Sequence, residues 1–136
     1  TKLRPALFAG GRSRQQVEFY ENCRMKGKEP ATVLGQRLRK ARHRANLPQD
    51  ELGVQIGLDE GTASARMSRY ETGIHAPPFG IVVKLAQALQ IPTAYFYCEE
   101  DDLADLIASW ALLTPAEREH IQSMIETMLA AKRDKV

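Results

Sequence analysis

From Thr32 onward the apolar residues recur at helical spacing, and turn-forming residues cut the recurrence into separate segments. Thr32 can cap a first helix in which Val33, Leu34, Leu38, Ala41 and Ala45 face inward. Asn46-Leu47-Pro48 ends it, and Pro48 suits the entrance to a second helix that begins near Gln49 and carries Leu52 and Ile56 on one face. After a tight turn at Gly57, Asp59 is placed to cap a third helix, its anion favoured at the positive helix end. Ala63, Met67 and Tyr70 recur along that helix, and Gly73 closes it. Pro77-Pro78 open a fourth helix with Ile81, Val82, Leu85, Ala88 and Leu89, and Pro92 introduces a short turn or helix through Tyr95 and Phe96.

Two further helices are predicted. One follows Asp102 with Leu103, Leu106, Ile107, Trp110 and Leu113. The other starts at Thr114-Pro115-Ala116-Glu117, a capping box with proline at the first helical position, and carries Ile121, Met124, Ile125, Met128 and Leu129. No segment alternates as a strand does, so the expected fold is all-α. Residues 1–30 have weak periodicity, with a short helix expected near Arg14 to Arg24, and read as a basic arm or extension dispensable for the fold. Met25 offers another reading, in which translation starts there and the upstream residues are a tag or an over-extended gene model. Residues 31–98 are expected to form one domain, and residues 99–136 a C-terminal helical dimerisation element.

Hydrophobic residues make up 43% of the 136 positions, enough for a compact core, and no apolar run is long enough to span a bilayer. Cys23 and Cys98 stand far apart in no metal-like spacing and read as free thiols in a reducing cytoplasm. The net charge of +2 hides a polarity. Up to Pro48 the arginines and lysines far outnumber Glu18, Glu21 and Glu29, whereas Glu99-Glu100-Asp101-Asp102 lead an acidic tail. A basic front suits phosphate contact and an acidic tail discourages it. The acidic residues after Tyr97 fit helix capping and dipole compensation better than a cation site, and His43, His75 and His120 lack ligand-spaced neighbours. No nucleophile is paired with a base, so neither enzymatic activity nor any metal or cofactor is expected.

The most telling stretch runs from Gln49 to Gly73: two short helices about the turn at Gly57, the second with small polar and basic residues outward. That is how a protein presents one helix to a DNA major groove. Ordered signatures surround it: Leu34-Gly35-x-Arg37-Leu38-Arg39, Arg42, Leu47-x-Gln49-x-x-Leu52, Gly57, Ser68-Arg69-Tyr70-Glu71-x-Gly73, Pro77, and Leu85-Ala86-x-Ala88-Leu89-x-Ile91. In this order they resemble the phage-repressor and Cro-type helix-turn-helix family, the xenobiotic-response-element-type transcriptional regulators. The resemblance covers Leu34 to Tyr97 and implies a five-helix repressor-like DNA-binding domain, here with two C-terminal helices added.

The chain departs from the family in three places. Pro48 replaces the usual Ser or Thr cap, and Gly53 takes the small position, usually Ala, that faces the neighbouring helix at a slight cost in helix propensity. Between Gly57 and Ser68 the chain is longer by about four residues, roughly one helical turn, which extends the third helix at its N-terminal end.

Carried over by the resemblance, the base-reading positions fall on Ser64, Ala65, Arg66 and Arg69, joined by Thr62 if the extra turn enters the groove. Gln49 would hold a backbone phosphate at a helix N-terminus, with Arg37, Thr72 and His75 flanking it. Arg42 and Glu71 match an ion pair that links the first and third helices and places Arg42 near phosphate. The resemblance therefore implies a cytoplasmic regulator of double-stranded DNA, a repressor that binds a palindromic operator as a homodimer and occludes polymerase. Leu106, Trp110, Ile121, Ile125 and Met128 are the expected dimer interface. The alternative is an antitoxin-like module whose helical tail grips a protein partner and whose DNA binding is secondary.

Overall fold

A computed structural model describes residues 29–135, and the helix expected near Arg14 to Arg24 lies outside them. Six α-helices and one short 3-10 helix follow one another: α1 (Val33–Arg44), α2 (Gln49–Gln55), α3 (Glu60–Thr72), α4 (Phe79–Leu89), the 3-10 helix (Thr93–Tyr97), α5 (Asp101–Trp110) and α6 (Pro115–Arg133). No strand occurs among the described residues. The fold is all-α, as the periodicity predicts.

The caps follow from local chemistry. Thr32 accepts from the Gly35 amide at 3.1 Å, Asp59 from the Gly61 amide at 3.1 Å, and Thr114 and Glu117 complete a reciprocal capping box at the head of α6. Pro48 gives α2 no side-chain cap, and Asp50 and Glu51 in its first turn supply the favourable charge instead. Gly57 (φ +90°) and Gly73 (φ +80°) take the left-handed conformation that ends α2 and α3. The third helix is helical from Glu60, so the additional residues after Gly57 form its first turn rather than a loop.

The core gathers Leu38 and Ala41 of α1, Leu52 and Ile56 at α2, Ala63, Met67 and Tyr70 of α3, Val82 and Leu85 of α4, and Tyr95 and Phe96. Ala104 and Ala108 of α5 belong to the same core. Packing thus continues across residue 98 into α5. In α6 no residue is buried.

Two contacts set how α3 is held. A Cβ on Gly35 would collide with the backbone carbonyl of Glu71, so α1 crosses the end of α3 at the closest approach a backbone permits. A Cβ on Gly53 would lie 2.7 Å from the Ala63 Cβ. The glycine in α2 is thus a point of helix-to-helix contact, more than a mild weakening of its own helix. Gly53→Ala gains up to ~1 kcal/mol of helix propensity but forces two rigid helices apart, a strain of about 1–3 kcal/mol. Net destabilisation is expected as a lower urea midpoint, and an unchanged or higher midpoint would contradict the contact.

Candidate nucleic-acid interface

α3 divides cleanly into two faces. Ala63, Met67, Tyr70 and Glu71 are buried, while Thr62, Ser64, Ala65, Arg66 and Arg69 are exposed. Helical geometry alone produces this split, because the buried set recurs at three and four residues and the exposed set fills the remaining arc. The exposed face offers hydroxyls, one methyl and two guanidinium forks, the groups that read base edges. All five residues assigned to reading therefore share one solvent-facing surface.

The residues assigned to phosphate are placed differently. Arg37 is only 3% exposed. Its Nε donates to the Cys98 carbonyl at 2.9 Å, Nη2 to the Glu99 carbonyl at 2.9 Å, and Nη1 to Asp101 Oδ1 at 2.6 Å. It also stacks 5.9 Å from the Tyr95 ring centroid. Arg37 thus fastens α5 to α1 and has no fork left for a phosphate. Thr72 is also buried, and its hydroxyl donates back along α3 to the Ser68 carbonyl at 2.9 Å. Of the flanking set only His75 is exposed, in the loop after α3.

Arg42 and Glu71 meet at the centre of a larger cluster. Glu71 has no solvent exposure. Its Oε1 accepts from Arg42 Nε, and its Oε2 accepts from Arg42 Nη2 at 3.1 Å, Gln49 Nε2 at 3.0 Å and Arg39 Nε at 3.3 Å. Arg42 also donates to the Leu47 carbonyl at 2.9 Å and to His43 Nε2 at 3.1 Å. The cluster ties α1, α2 and α3 together through one carboxylate. In it Arg42 is buried, and the Gln49 amide already donates to Glu71.

Electrostatics follow the geometry. Burial pushes the Glu71 carboxyl up, but the hydrogen bonds and charge of Arg42, with Gln49 and Arg39, outweigh it and hold the group below its ordinary value. Half-burial and the neighbouring Arg42 push His43 below the ordinary histidine value. A neutral His43 can accept from Arg42, whereas a protonated one cannot.

A second cluster escaped the sequence reading. Lys40 and Arg44 of α1 both reach Asp105 Oδ1, at 3.3 and 2.9 Å. Arg37, Lys40 and Arg44 fall at helical spacing on one edge of α1, facing Asp101 and Asp105 at helical spacing on α5. Two stripes of opposite charge were the signal available in the sequence. Glu71, Asp101 and Asp105 therefore engage Arg37, Arg39, Lys40, Arg42 and Arg44 of α1 inside the molecule. On the outer face of α3 Arg66 and Arg69 remain exposed.

The comparisons agree with this architecture. The helix-turn-helix domain family matches residues 33–94, from the first residue of α1 into the 3-10 helix. The crystal structure of the transcriptional regulator BswR is similar, with a TM-score of 0.69 and 46% sequence identity, covering 71% of this chain and 96% of that one. None of the curated proteins matches the chain. A relative this similar, matched over nearly its whole length, together with the domain match shows that the chain belongs to the helix-turn-helix family.

Proposed function

We propose that this protein is a sequence-specific transcriptional regulator of the phage-repressor and Cro type, which lays α3 in the major groove of a palindromic operator and represses by occluding polymerase. The observation that carries the reading is the outward face of α3. Arg66 and Arg69 suit bidentate bonds to guanine, Ser64 and Thr62 bond either base type, and Ala65 meets a thymine methyl. Gln49 and His75 form the rim nearest the phosphates. The similarity to a solved transcriptional regulator supports the same reading.

A lone reading helix covers few base pairs, and a two-fold dimer is the usual remedy. α6 supports a homodimer, since it buries nothing and leaves Met124, Ile125, Met128 and Leu129 exposed, with Leu106 of α5 nearby in sequence also exposed. Trp110 and Ile121 are partly buried.

Arg66→Ala and Arg69→Ala are each expected to cost about 1–3 kcal/mol on the preferred site and to relax preference at one base position. Both side chains are solvent-facing, so melting temperature should hold. Binding-site selection with each variant is the measurement. Unchanged base preferences in both would remove α3 from the reading role, and a small protein partner co-purifying through α6 would favour the antitoxin-like alternative.

A further inference from the structure

α6 carries a symmetry of its own. Ile121 and Met128 lie equally far on either side of the midpoint between Met124 and Ile125, and so do Glu117 and Lys132. At helical spacing these six residues share one face of the helix, acidic at its head, apolar in the middle and basic at its tail. No residue of α6 is buried, and Met128 keeps 58% of its surface in solvent. Arg118 fixes the helix to its predecessor, donating from Nε to the Trp110 carbonyl at 3.0 Å and lying 5.5 Å from the Trp110 ring centroid.

From this we infer that the occupant of the stripe is the α6 helix of a second copy, running antiparallel about a two-fold axis between Met124 and Ile125. The inference rests on the proposed homodimer and adds its direction and register. In a two-fold interface each residue meets the partner residue equally displaced from the axis. Ile121 then packs on the partner's Met128, Met124 on the partner's Ile125, and Glu117 faces the partner's Lys132. Parallel pairing would instead set Glu117 against its own copy and Lys132 against its own copy, with the two helix dipoles aligned. The charges at the two ends of the stripe therefore select the antiparallel arrangement. Glu117 Oε2 already accepts from the Thr114 amide at 2.7 Å, which holds the carboxylate in place at the head of the helix.

Disulfide trapping in the full chain tests the register. Chains bearing Ile121→Cys or Met128→Cys, in a Cys23→Ser and Cys98→Ser background, are oxidised separately and as a mixture, one carrying a size tag. In the antiparallel register two copies of residue 121 lie about 10 Å apart along the axis, beyond the ~7 Å Cα reach of a disulfide. The expected result is a mixed-size cross-link from the mixture and none from either variant alone. Like-with-like cross-links without a mixed one would overturn the antiparallel register while leaving the dimer standing. A wild-type dimer in sedimentation with no cross-link in any sample would overturn the pairing through α6. A monomeric wild-type chain would remove the homodimer itself. Lys132→Glu, which sets acid against the partner's Glu117, should weaken dimerisation about tenfold at low salt, with recovery in Lys132→Arg. An unchanged dissociation constant for Lys132→Glu would overturn the charge pairing.

Discussion

Arg42→Ala is expected to lower folding stability by about 3 kcal/mol, the scale for stranding one partner of a buried ion pair. Glu71 would keep only Arg39 and Gln49 as donors while remaining fully buried, and the Leu47 carbonyl would lose its partner. For a domain of about 100 residues this is a fall in melting temperature on the order of 10–20 °C. Circular-dichroism melting checks it, and an unchanged midpoint would mean that the cluster contributes nothing. The same cluster predicts a pH limb. His43 and Glu71 are both held below their ordinary values in the folded state, so each contributes stability that is complete above its unfolded value and is lost as pH falls through its folded value. Stability should start to fall below about pH 6.5, where the unfolded chain begins to protonate His43, and again below about pH 4.5, where it begins to protonate Glu71. Glu71→Gln should shrink the lower limb and deepen the upper one, because the Glu71 charge is what holds His43 up against burial and Arg42.

A chain ending at Tyr97 is expected to lose its cooperative fold, whereas one ending at Leu113 keeps it. The shorter chain removes the Cys98 and Glu99 carbonyls and Asp101, leaving the buried Arg37 guanidinium without an acceptor. It also strips Ala104 and Ala108 from the core they share with Tyr95 and Phe96. Losing three hydrogen bonds to a charged group and uncovering an aromatic pair each cost about 1.5–3 kcal/mol or more, together comparable to the whole stability of a small domain. The longer chain loses only α6, in which nothing is buried. It should melt cooperatively, sediment as a monomer and bind the operator some 10²–10⁴-fold more weakly, because two linked half-site contacts become one. A folded chain ending at Tyr97 would show that Arg37 tolerates water, and a dimeric chain ending at Leu113 would take the interface away from α6.

Local chemistry was readable along the chain because each cap needs only its own few residues. Thr32, Asp59, Thr114 with Glu117, and the glycines at 57 and 73 all act where their spacing puts them. The two faces of α3 were legible for the same reason. Long-range partners were not. Arg37 sits where a phosphate contact is expected by resemblance, and its partners lie more than sixty positions away. A guanidinium suits a phosphate and a carboxylate equally, so residue type could not decide which one it meets. Gly53 was similarly opaque, since a helix-propensity argument sees one residue while the 2.7 Å approach to Ala63 involves two helices. The apolar stripe of α6 was readable as a stripe, but periodicity does not say whether its own chain covers it.

The seclusion of Glu71 has a bearing on how such a protein can change. Every bond of the cluster that locks α3 is made from its inner face and its final turn, and the side chains of Ser64, Arg66 and Arg69 make none among the described residues. On the proposed function, recognition and folding are therefore written on separate residues of one helix. If that function holds, replacements at those three positions would redirect the protein to new target sequences at little cost in stability, whereas replacements at Gly35, Gly53 or Glu71 would disturb the fold first. A lineage built this way can diversify its vocabulary while its grammar stays fixed.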